Sequence, residues 1–88
     1  MKTIHAIISG NVQNVFFRDS TKRLADSLAI GGWVRNNADG CVELVATGDT
    51  SALKTFCDWL HEGPPAARVD NVTQTKRELE LFDSFDIT

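Results

Sequence analysis

The hydrophobic residues of this chain follow two spacings, one typical of strands and one typical of helices. Within Thr3–Ser9 every second residue is apolar, which predicts a β-strand with one buried face. That face consists of Ile4, Ala6 and Ile8. The segment after it has no clear period, and we expect a loop there. From Phe17 onward the apolar spacing changes to three and four residues, which predicts a helix. The residues on its buried face are Phe17, Thr21, Leu24, Ala25 and Leu28.

The middle of the chain predicts a β-hairpin and then a second helix. The pair Gly31-Gly32 is predicted to end the first helix. The strand patterns Trp33–Asn36 and Cys41–Thr47 flank Asn37–Gly40, whose asparagine, aspartate and glycine suit a tight turn. The second helix is predicted because its apolar residues again share one face. These residues are Leu53, Phe56, Cys57 and Leu60. Gly63, followed by two prolines, is predicted to take the left-handed position that ends this helix.

The last part of the chain predicts two further strands, at Ala67–Lys76 and Leu81–Ile87, with Phe82 and Phe85 as core candidates of the shorter one. The resulting order is β-α-β-β-α-β with an additional strand. This order predicts an α+β fold of the ferredoxin-like type, a βαββαβ sandwich. In it, two helices cover one face of an antiparallel sheet of four to five strands. A length of 88 residues predicts a single domain, residues 1–88. Such a fold by itself decides no function.

Composition and charge exclude several classes of protein. The formal net charge is −3, and residues 78–88 hold four of the 12 acidic residues and none of the 9 basic ones. The rest of the chain is therefore nearly neutral, without the clustered lysines and arginines of a general nucleic-acid binder. No apolar run approaches the roughly 20 residues of a membrane span, and the N-terminus lacks the pattern of a signal peptide. We therefore expect a cytoplasmic protein that binds neither nucleic acid nor membrane.

The cysteines and histidines make a poor metal or disulfide framework. Cys41 and Cys57 belong to no CxxC motif, and His5 and His61 are isolated from each other. We expect reduced thiols and no metal site, although the sequence alone leaves a single disulfide open.

The loop before the first helix is a candidate anion site. A strand–loop–helix junction leaves backbone N–H groups unpaired, and together with the positive end of the helix dipole these can hold an anion. Arg18 lies where the loop becomes the helix, and its planar guanidinium can bind phosphate or carboxylate through two hydrogen bonds. The alternative is a solvated residue at a helix start. The residues alone favour that alternative, but a basic side chain opposes the dipole there, which is a reason to suspect an anion between the two.

Asn36 is the second candidate. Asparagine is uncommon in strands, and Asn36 ends the first strand of the hairpin, beside Arg35. Its carboxamide offers both a donor and an acceptor, so it can hold a water molecule in one orientation. The alternative is a residue that merely flanks the turn.

The chain also lacks the usual sets of catalytic side chains. It has no Ser–His–Asp arrangement, no reactive CxxC pair and no paired carboxylates near the candidate loop. Chemistry at this loop would therefore require a reactive substrate and a positioned water molecule.

Two motifs resemble the signatures of the acylphosphatase family. Residues Gly10–Arg18 read Gly-Asn-Val-Gln-Asn-Val-Phe-Phe-Arg and resemble the pattern G-x-V-Q-G-V-x-F-R. Gly32–Asn36, followed by Asp39-Gly40, resembles the second pattern, G-[W/Y]-V-x-N-x-x-D-G, and Trp59–Val69 resembles the family's W-L-x-x-G-P stretch. The similarity runs from about residue 4 to about residue 72 with family spacing throughout. The resemblance implies the ferredoxin-like fold that the element order also predicts.

The resemblance implies hydrolysis of the carboxyl–phosphate bond of small acyl phosphates, without metal or cofactor. Arg18 would neutralise the phosphate, and Asn36 would orient the attacking water, whose proton the substrate phosphate would accept. The phosphate oxygens would be held by backbone N–H groups of consecutive loop residues. These are Val12, Gln13, Asn14, Val15, Phe16 and Phe17. We expect an acyl phosphate and inorganic phosphate as the bound small molecules and a monomer as the oligomeric state.

Asn14 departs from the family pattern, which usually has glycine there. Glycine serves positions of positive φ, and asparagine is the commonest substitute in the left-handed region. The loop is therefore expected to form, with the Asn14 side chain close to the phosphate. This leaves a second hypothesis, a catalytically weak or inactive phosphate-binding module of the same fold. A third, an RNA-binding βαββαβ domain, is disfavoured because the central strand Cys41–Thr47 has no aromatic and no basic residue.

Overall fold

The computed structural model describes residues 1–88, which form five strands and two helices. The strands are β1 (Lys2–Asn11), β2 (Gly31–Asn36), β3 (Val42–Gly48), β4 (Arg68–Arg77) and β5 (Phe85–Ile87). The helices are α1 (Phe17–Ser27) and α2 (Thr50–Leu60). The predicted β-α-β-β-α-β order with an additional strand is confirmed. Neither helix has the length and apolarity that crossing a membrane requires.

The five strands form one sheet in the order β4-β1-β3-β2-β5. The first four strands pair antiparallel, as predicted, whereas β5 lies parallel to β2, so the sheet as a whole is mixed. The direction of β5 follows from the connection before it. β4 ends with Arg77 opposite Thr3, at the end of the sheet where β2 begins. The chain then crosses this end of the sheet from β4, at one edge, to β5, at the other edge. It therefore enters β5 from the end where β2 begins and runs in the same direction as β2.

The hydrophobic core lies between one face of the sheet and the two helices. The predicted apolar face of β1 is fully confirmed, since Ile4, Ala6 and Ile8 are all buried. The apolar face predicted for α2 is confirmed as well, with its four residues buried, Phe56 and Leu60 completely. Burial of each large apolar side chain contributes about 1.5–3 kcal/mol, so this shared core is what holds the helices on the sheet.

The first helix ends earlier than predicted. It ends at Ser27, and Ala29 takes the left-handed conformation at φ 55°. The N–H of Ile30 donates to the Ala25 carbonyl at 2.9 Å, which satisfies a carbonyl of the last turn. The prediction that Gly31-Gly32 ends the helix is therefore wrong, because alanine occupies the left-handed position and the glycines begin β2. The corresponding prediction for α2 is confirmed, since Gly63 has φ 72°.

Candidate functional site

A bulge at the end of β1 directs the chain into the candidate loop. The pairing of β1 with β4 shifts register between Ser9 and Gly10, and Gly10 has φ 127°. A Cβ atom at Gly10 would lie 2.2 Å from the carbonyl oxygen of Arg68, so only glycine fits. The loop, residues 12–16, then runs between two buried side chains, Val12 and Phe17. Because both ends are anchored in the core, the path of the loop is closely defined.

Two loop residues adopt left-handed backbone conformations. Asn14 has φ 63°, which confirms the prediction that asparagine serves here as the substitute for glycine. Phe16 has φ 65°, a conformation that a bulky side chain rarely adopts and that costs on the order of 1–3 kcal/mol. Left-handed residues within a tight loop turn successive N–H groups toward one concave side, which is a typical anion-binding geometry.

The N–H groups of this loop are available to a ligand. None of the backbone hydrogen bonds outside the helices and strands has a donor within residues 12–17. The first such donor after the loop is Ser20, whose N–H bonds to the Phe16 carbonyl at 3.0 Å. The positive end of the dipole of α1, which is 11 residues long, points into the same region. The loop therefore provides several donors and a positive potential for an anion.

A cavity of about 360 Å³ lies beside this loop. It brings Arg18 and Asn36 together, as the sequence motifs implied. Its lining residues are Val12, Asn14, Phe16, Phe17, Arg18, Asp19, Asn36 and Ile87. Six of the eight predicted site residues thus line one cavity, and the other two, Gln13 and Val15, do not.

Gln13 connects the loop to the β2–β3 hairpin. Its Nε2 donates to the carbonyl oxygens of Asn37 and Cys41 at 2.8 and 2.9 Å. Asn37 directly follows Asn36, and Cys41 lies across the turn from it. The Gln13 side chain therefore holds the loop at a defined distance from the hairpin. Val15 packs against the core instead. Both side chains therefore support the loop from behind, which leaves only their backbone N–H groups as candidates for the predicted contacts.

Asn36 lines the cavity and has one unsatisfied polar atom. Its Oδ1 is buried and has no hydrogen-bond partner. An unpartnered buried polar atom costs about 1–3 kcal/mol, and such atoms are uncommon in native proteins. The turn that follows is closed by Asn37 and Gly40, without the Asn36 side chain. The position is therefore not explained by the turn.

Arg18 is partly buried and forms no ion pair, whereas Arg23 pairs with Asp19 at 3.1 Å. Asp19 also lines the cavity and was not predicted, although its position next to Arg18 was a usable signal. The Arg23 guanidinium offsets the Asp19 carboxylate, so Arg18 contributes the cavity's one uncompensated charge. The other unpredicted lining residue is Ile87, which belongs to β5. β5 pairs with β2, and the paired residues are more than 50 positions apart in the sequence.

A charged cluster lies on the opposite face of the sheet, close to the hairpin. Glu43 binds His5 Nε2 at 2.6 Å and an Arg35 guanidinium nitrogen at 2.7 Å. The Arg35 guanidinium also lies 5.1 Å from the centre of the Trp33 ring. The hydrogen bonds from His5 and then from Arg35 lower the pKa of Glu43 from 4.5 to about 2. This cluster joins β1, β2 and β3 beneath the hairpin that carries Asn36.

We expect Glu43→Gln to destabilise the protein at pH 7 by about 1–3 kcal/mol. A carboxyl whose pKa is lowered on folding stabilises the folded state fully above its unfolded pKa of 4.5 and loses that effect as pH falls toward 2. The difference from wild type should therefore shrink steadily below pH 4.5. Urea unfolding at pH 7, 4 and 3 measures it. Asp58→Asn removes an exposed pair with Lys54 and should change stability by less than about 0.5 kcal/mol. If the stability difference between Glu43→Gln and wild type did not change with pH, the lowered pKa of Glu43 would not be its cause.

The two thiols are free and poorly suited to nucleophilic chemistry. Cys57 is buried in α2, and burial raises its pKa to about 11. Burial, followed by the nearby Asp39 carboxylate, also raises the pKa of Cys41. The reactive thiolate form of either residue is therefore disfavoured at neutral pH.

Comparisons with known proteins identify the family. Residues 4–87 match the sequence model of the family described as Acylphosphatase. The chain belongs to the acylphosphatase family. An acylphosphatase of Legionella pneumophila (strain Corby) is 50% identical over 80 residues, which are 91% of this chain and 88% of that protein. The resemblance found in the two motifs is thereby confirmed over nearly the whole chain, and the protein is a hydrolase of this family.

Solved acylphosphatase structures confirm the fold as well. The structure of an acylphosphatase from Coxiella burnetii matches with a TM-score of 0.95 at 41% identity, covering 99% of this chain and 92% of that chain. The crystal structure of acylphosphatase from Bacillus subtilis matches with a TM-score of 0.96 at 36% identity, covering 100% and 99%. The ferredoxin-like α+β architecture predicted from the element order is the one that these acylphosphatases share.

Proposed function

We propose that this chain hydrolyses the carboxyl–phosphate bond of small acyl phosphates, releasing a carboxylate and inorganic phosphate. The observation that carries this proposal is the single cavity that joins three complementary groups in a member of the acylphosphatase family. These groups are the unpaired N–H donors of the loop, the unpaired guanidinium of Arg18 and the buried Oδ1 of Asn36.

In this proposal the loop and Arg18 bind the phosphate group. Backbone N–H groups of Val12–Phe17 donate to its oxygens, and Arg18 adds a charge-assisted bidentate contact. The absence of other backbone acceptors for these N–H groups supports this role. Because the donors and the charge are held by the fold, they need no rearrangement as negative charge redistributes in the transition state, which is the main source of catalysis in phosphoryl transfer.

Asn36 orients the attacking water. Its Oδ1 accepts a hydrogen bond from the water, which turns an oxygen lone pair toward phosphorus. The new bond joins the water oxygen to phosphorus, and the bond between phosphorus and the carboxyl oxygen breaks. The electron pair of that bond leaves with the carboxylate, and the proton of the water passes to a phosphate oxygen. A carboxylate is a weak base and leaves without protonation, so neither a general acid nor a thiol nucleophile is required.

We also infer that residues 1–88 act as one domain and as a cytoplasmic monomer. One sheet and one hydrophobic core extend over the whole chain. The two free thiols fit a reducing compartment.

The test is phosphate release from acetyl phosphate in the presence of excess EDTA. The proposal expects turnover that EDTA leaves unchanged and that inorganic phosphate inhibits competitively. The alternative is a phosphate-binding module without catalysis, and it is favoured by one observation, that Asn14, which replaces the usual glycine of the family, lines the cavity. Calorimetric binding of phosphate without turnover of any acyl phosphate would establish that alternative.

We expect Asn14→Gly to raise kcat/KM for acetyl phosphate by about 2- to 10-fold, equivalent to roughly 0.4–1.4 kcal/mol. The backbone at this position is already left-handed, so glycine keeps the path of the loop and removes only a side chain beside the phosphate. The competitive inhibition constant of phosphate should fall in parallel. Ala29→Gly is the matched control, because Ala29 is also left-handed but lies outside the cavity. If kcat/KM rose equally in both variants, the effect would come from placing glycine at a left-handed position and not from removing a side chain at the cavity.

A further inference from the structure

We propose that a second cavity, between α2 and the edge of the sheet, binds a small aliphatic dicarboxylate. This cavity, the α2–β4 groove, is lined by residues of α2 on one side and of β1 and β4 on the other. Its volume of about 390 Å³ is within the range of sites for small molecules. It shares no lining residue with the cavity beside the loop. The proposal therefore adds a binding site that does not depend on the proposed hydrolysis.

Two polar residues of β4 occupy positions on the face of the sheet that the helices cover. Gln74 lies opposite Ala6 and Lys76 lies opposite Ile4, and directly opposite residues of antiparallel strands share a face. Ala6 and Ile4 are buried core residues, whereas Gln74 and Lys76 are exposed. The helix α2 has its closest backbone contacts with β3 and α1, which leaves this part of β4 uncovered. One wall of the groove is therefore polar at positions where a core-facing strand is ordinarily apolar.

Positive charge without a partner is concentrated at this groove. Five of the nine basic residues form ion pairs with a carboxylate. The four that form none are Lys2, Arg18, Lys76 and Arg77. Arg18 lines the cavity beside the loop, whereas Lys2 and Lys76 both line the groove. The third lysine of the groove, Lys54, is paired with Asp58, the one carboxylate that lines it. Two lysine charges of the groove therefore remain uncompensated.

The placement of these two lysines suits a ligand with two separated anionic groups. Lys2 and Ile4 share a face of β1, and Lys76 lies opposite Ile4, so the two lysines are diagonal neighbours. Diagonal neighbours on a sheet lie roughly 7–8 Å apart, and like charges there repel each other. A lysine ammonium is a point charge and lacks the planar fork with which arginine holds a single phosphate. Two carboxylates joined by a short carbon chain would neutralise both lysines, one each.

The floor of the groove suits the carbon chain of such a ligand. It consists of Ile4, Leu53 and Cys57, three buried side chains from β1 and α2. Methylene groups that lie on this floor lose contact with water, while both carboxylates stay at the polar rim. At that rim Thr50 and Gln74 add a hydroxyl and a carboxamide, which can donate to carboxylate oxygens. The groove thus complements an aliphatic dicarboxylate in charge and in polarity.

Protection of the sheet edge explains only part of this arrangement. β4 is an edge strand, and a lysine that points inward from it, as Lys76 does, discourages pairing with another chain. Lys2, however, belongs to β1, an inner strand of the sheet. Edge protection also requires no cavity between the two lysines and α2. The clustering of charge around an apolar floor therefore needs a second explanation, which a bound dicarboxylate supplies.

The experiment follows backbone amide chemical shifts by NMR while adipate is added at pH 7 and low ionic strength. Adipate should shift the amides of the groove, and hexanoate, with as many carbon atoms and one carboxylate fewer, should bind about three- to fivefold more weakly. Lys2→Gln and Lys76→Gln should each weaken adipate binding about threefold. Asp58→Asn should strengthen it about twofold, because it removes the opposing carboxylate and releases Lys54.

Arg77→Gln is the matched control for these variants. It removes the same charge from the next residue of β4, which is also unpaired but points to the opposite face of the sheet. The affinity for adipate should change by less than about 1.5-fold, since an exposed charge that does not touch the ligand is largely screened. Shifts that inorganic phosphate causes at residues 12–17 should be the same in all four variants and in wild type, which shows that each variant is folded.

Several results would overturn the proposal. Adipate could cause no shift at the groove, or it could shift only the amides of residues 12–17, which would place its binding at the other cavity alone. Equal losses of affinity in Lys76→Gln and Arg77→Gln would show attraction by net charge and not by a site. Hexyl phosphate carries its charge on one group, so tighter binding of hexyl phosphate than of adipate at the groove would exclude a dicarboxylate as the occupant.

Discussion

Replacement of Arg18 by alanine should lower kcat/KM for acetyl phosphate by about 10³-fold. Arg18 forms no ion pair, and Asp19, the other charged residue that lines the cavity, is paired with Arg23. Without Arg18 the phosphate would face only backbone dipoles, and its negative charge would be incompletely balanced in the ground state and in the transition state. The inhibition constant of inorganic phosphate should therefore rise together with the loss of turnover.

Two further variants define what Arg18 contributes. Arg18→Lys keeps the charge but loses the planar fork, so it should recover only part of the loss. Arg77→Ala is the matched control, since Arg77 also forms no ion pair but ends β4 at the opposite end of the sheet. Steady-state kinetics with phosphate inhibition measures all three variants. An Arg18→Ala enzyme that binds phosphate as tightly as wild type would show that this guanidinium is not a phosphate ligand.

Replacement of Asn36 by alanine should lower kcat by about 10²- to 10³-fold, comparable to the loss of one preorganised hydrogen-bonding group at a reacting centre. The inhibition constant of phosphate should change by less than about threefold, because the proposed partner of Asn36 is the attacking water and not the phosphate. The split between kcat and phosphate binding distinguishes Asn36 from Arg18, whose loss should affect both.

The stability of the Asn36→Ala variant is a second measurement. Its wild-type Oδ1 is buried without a partner, so removing it takes away a desolvation cost of about 1–3 kcal/mol. The variant should therefore unfold at the same or a higher urea concentration although it is less active. Asn37→Ala changes the adjacent amide, which accepts a hydrogen bond from Arg35 Nε, and should leave kcat within about twofold. A marked loss of stability with unchanged turnover would make Asn36 a structural residue.

Most of the fold was predictable because the local pattern and the tertiary contacts agree. The alternating residues of β1 and the helical face of α2 are buried as their spacing predicts, since one-sided burial imposes these periods. The two motifs predicted the candidate site for a related reason. Each motif places its polar residues at the junction of two elements, so the loop with Arg18 and the strand end with Asn36 could be identified from the sequence. Only the structure shows that both line one cavity.

The departures from the prediction all involve partners distant in the sequence or a choice between adjacent residues. The first helix ends at Ser27, before the glycines, because Ala29 takes the left-handed conformation while Ile30 is buried in the core and its N–H satisfies the Ala25 carbonyl. The side chain of Gln13 points to the hairpin, where it adds a second donor to two carbonyls that already accept backbone hydrogen bonds. Neither preference can be read from residue type or spacing.

The sequence by itself determined the order of the elements, the faces that are buried and the motif residues from which the phosphate loop is built. Local conformational preference and hydrophobic period decide these features, and both are properties of neighbouring residues. Only the tertiary structure decided that β5 runs parallel to β2, that Ile87 joins Phe16 at the cavity and that Asn36 Oδ1 is left without a partner. These features depend on which distant segments pair when the sheet forms. Contacts throughout the hydrophobic core determine that pairing, so no local stretch of sequence predicts it.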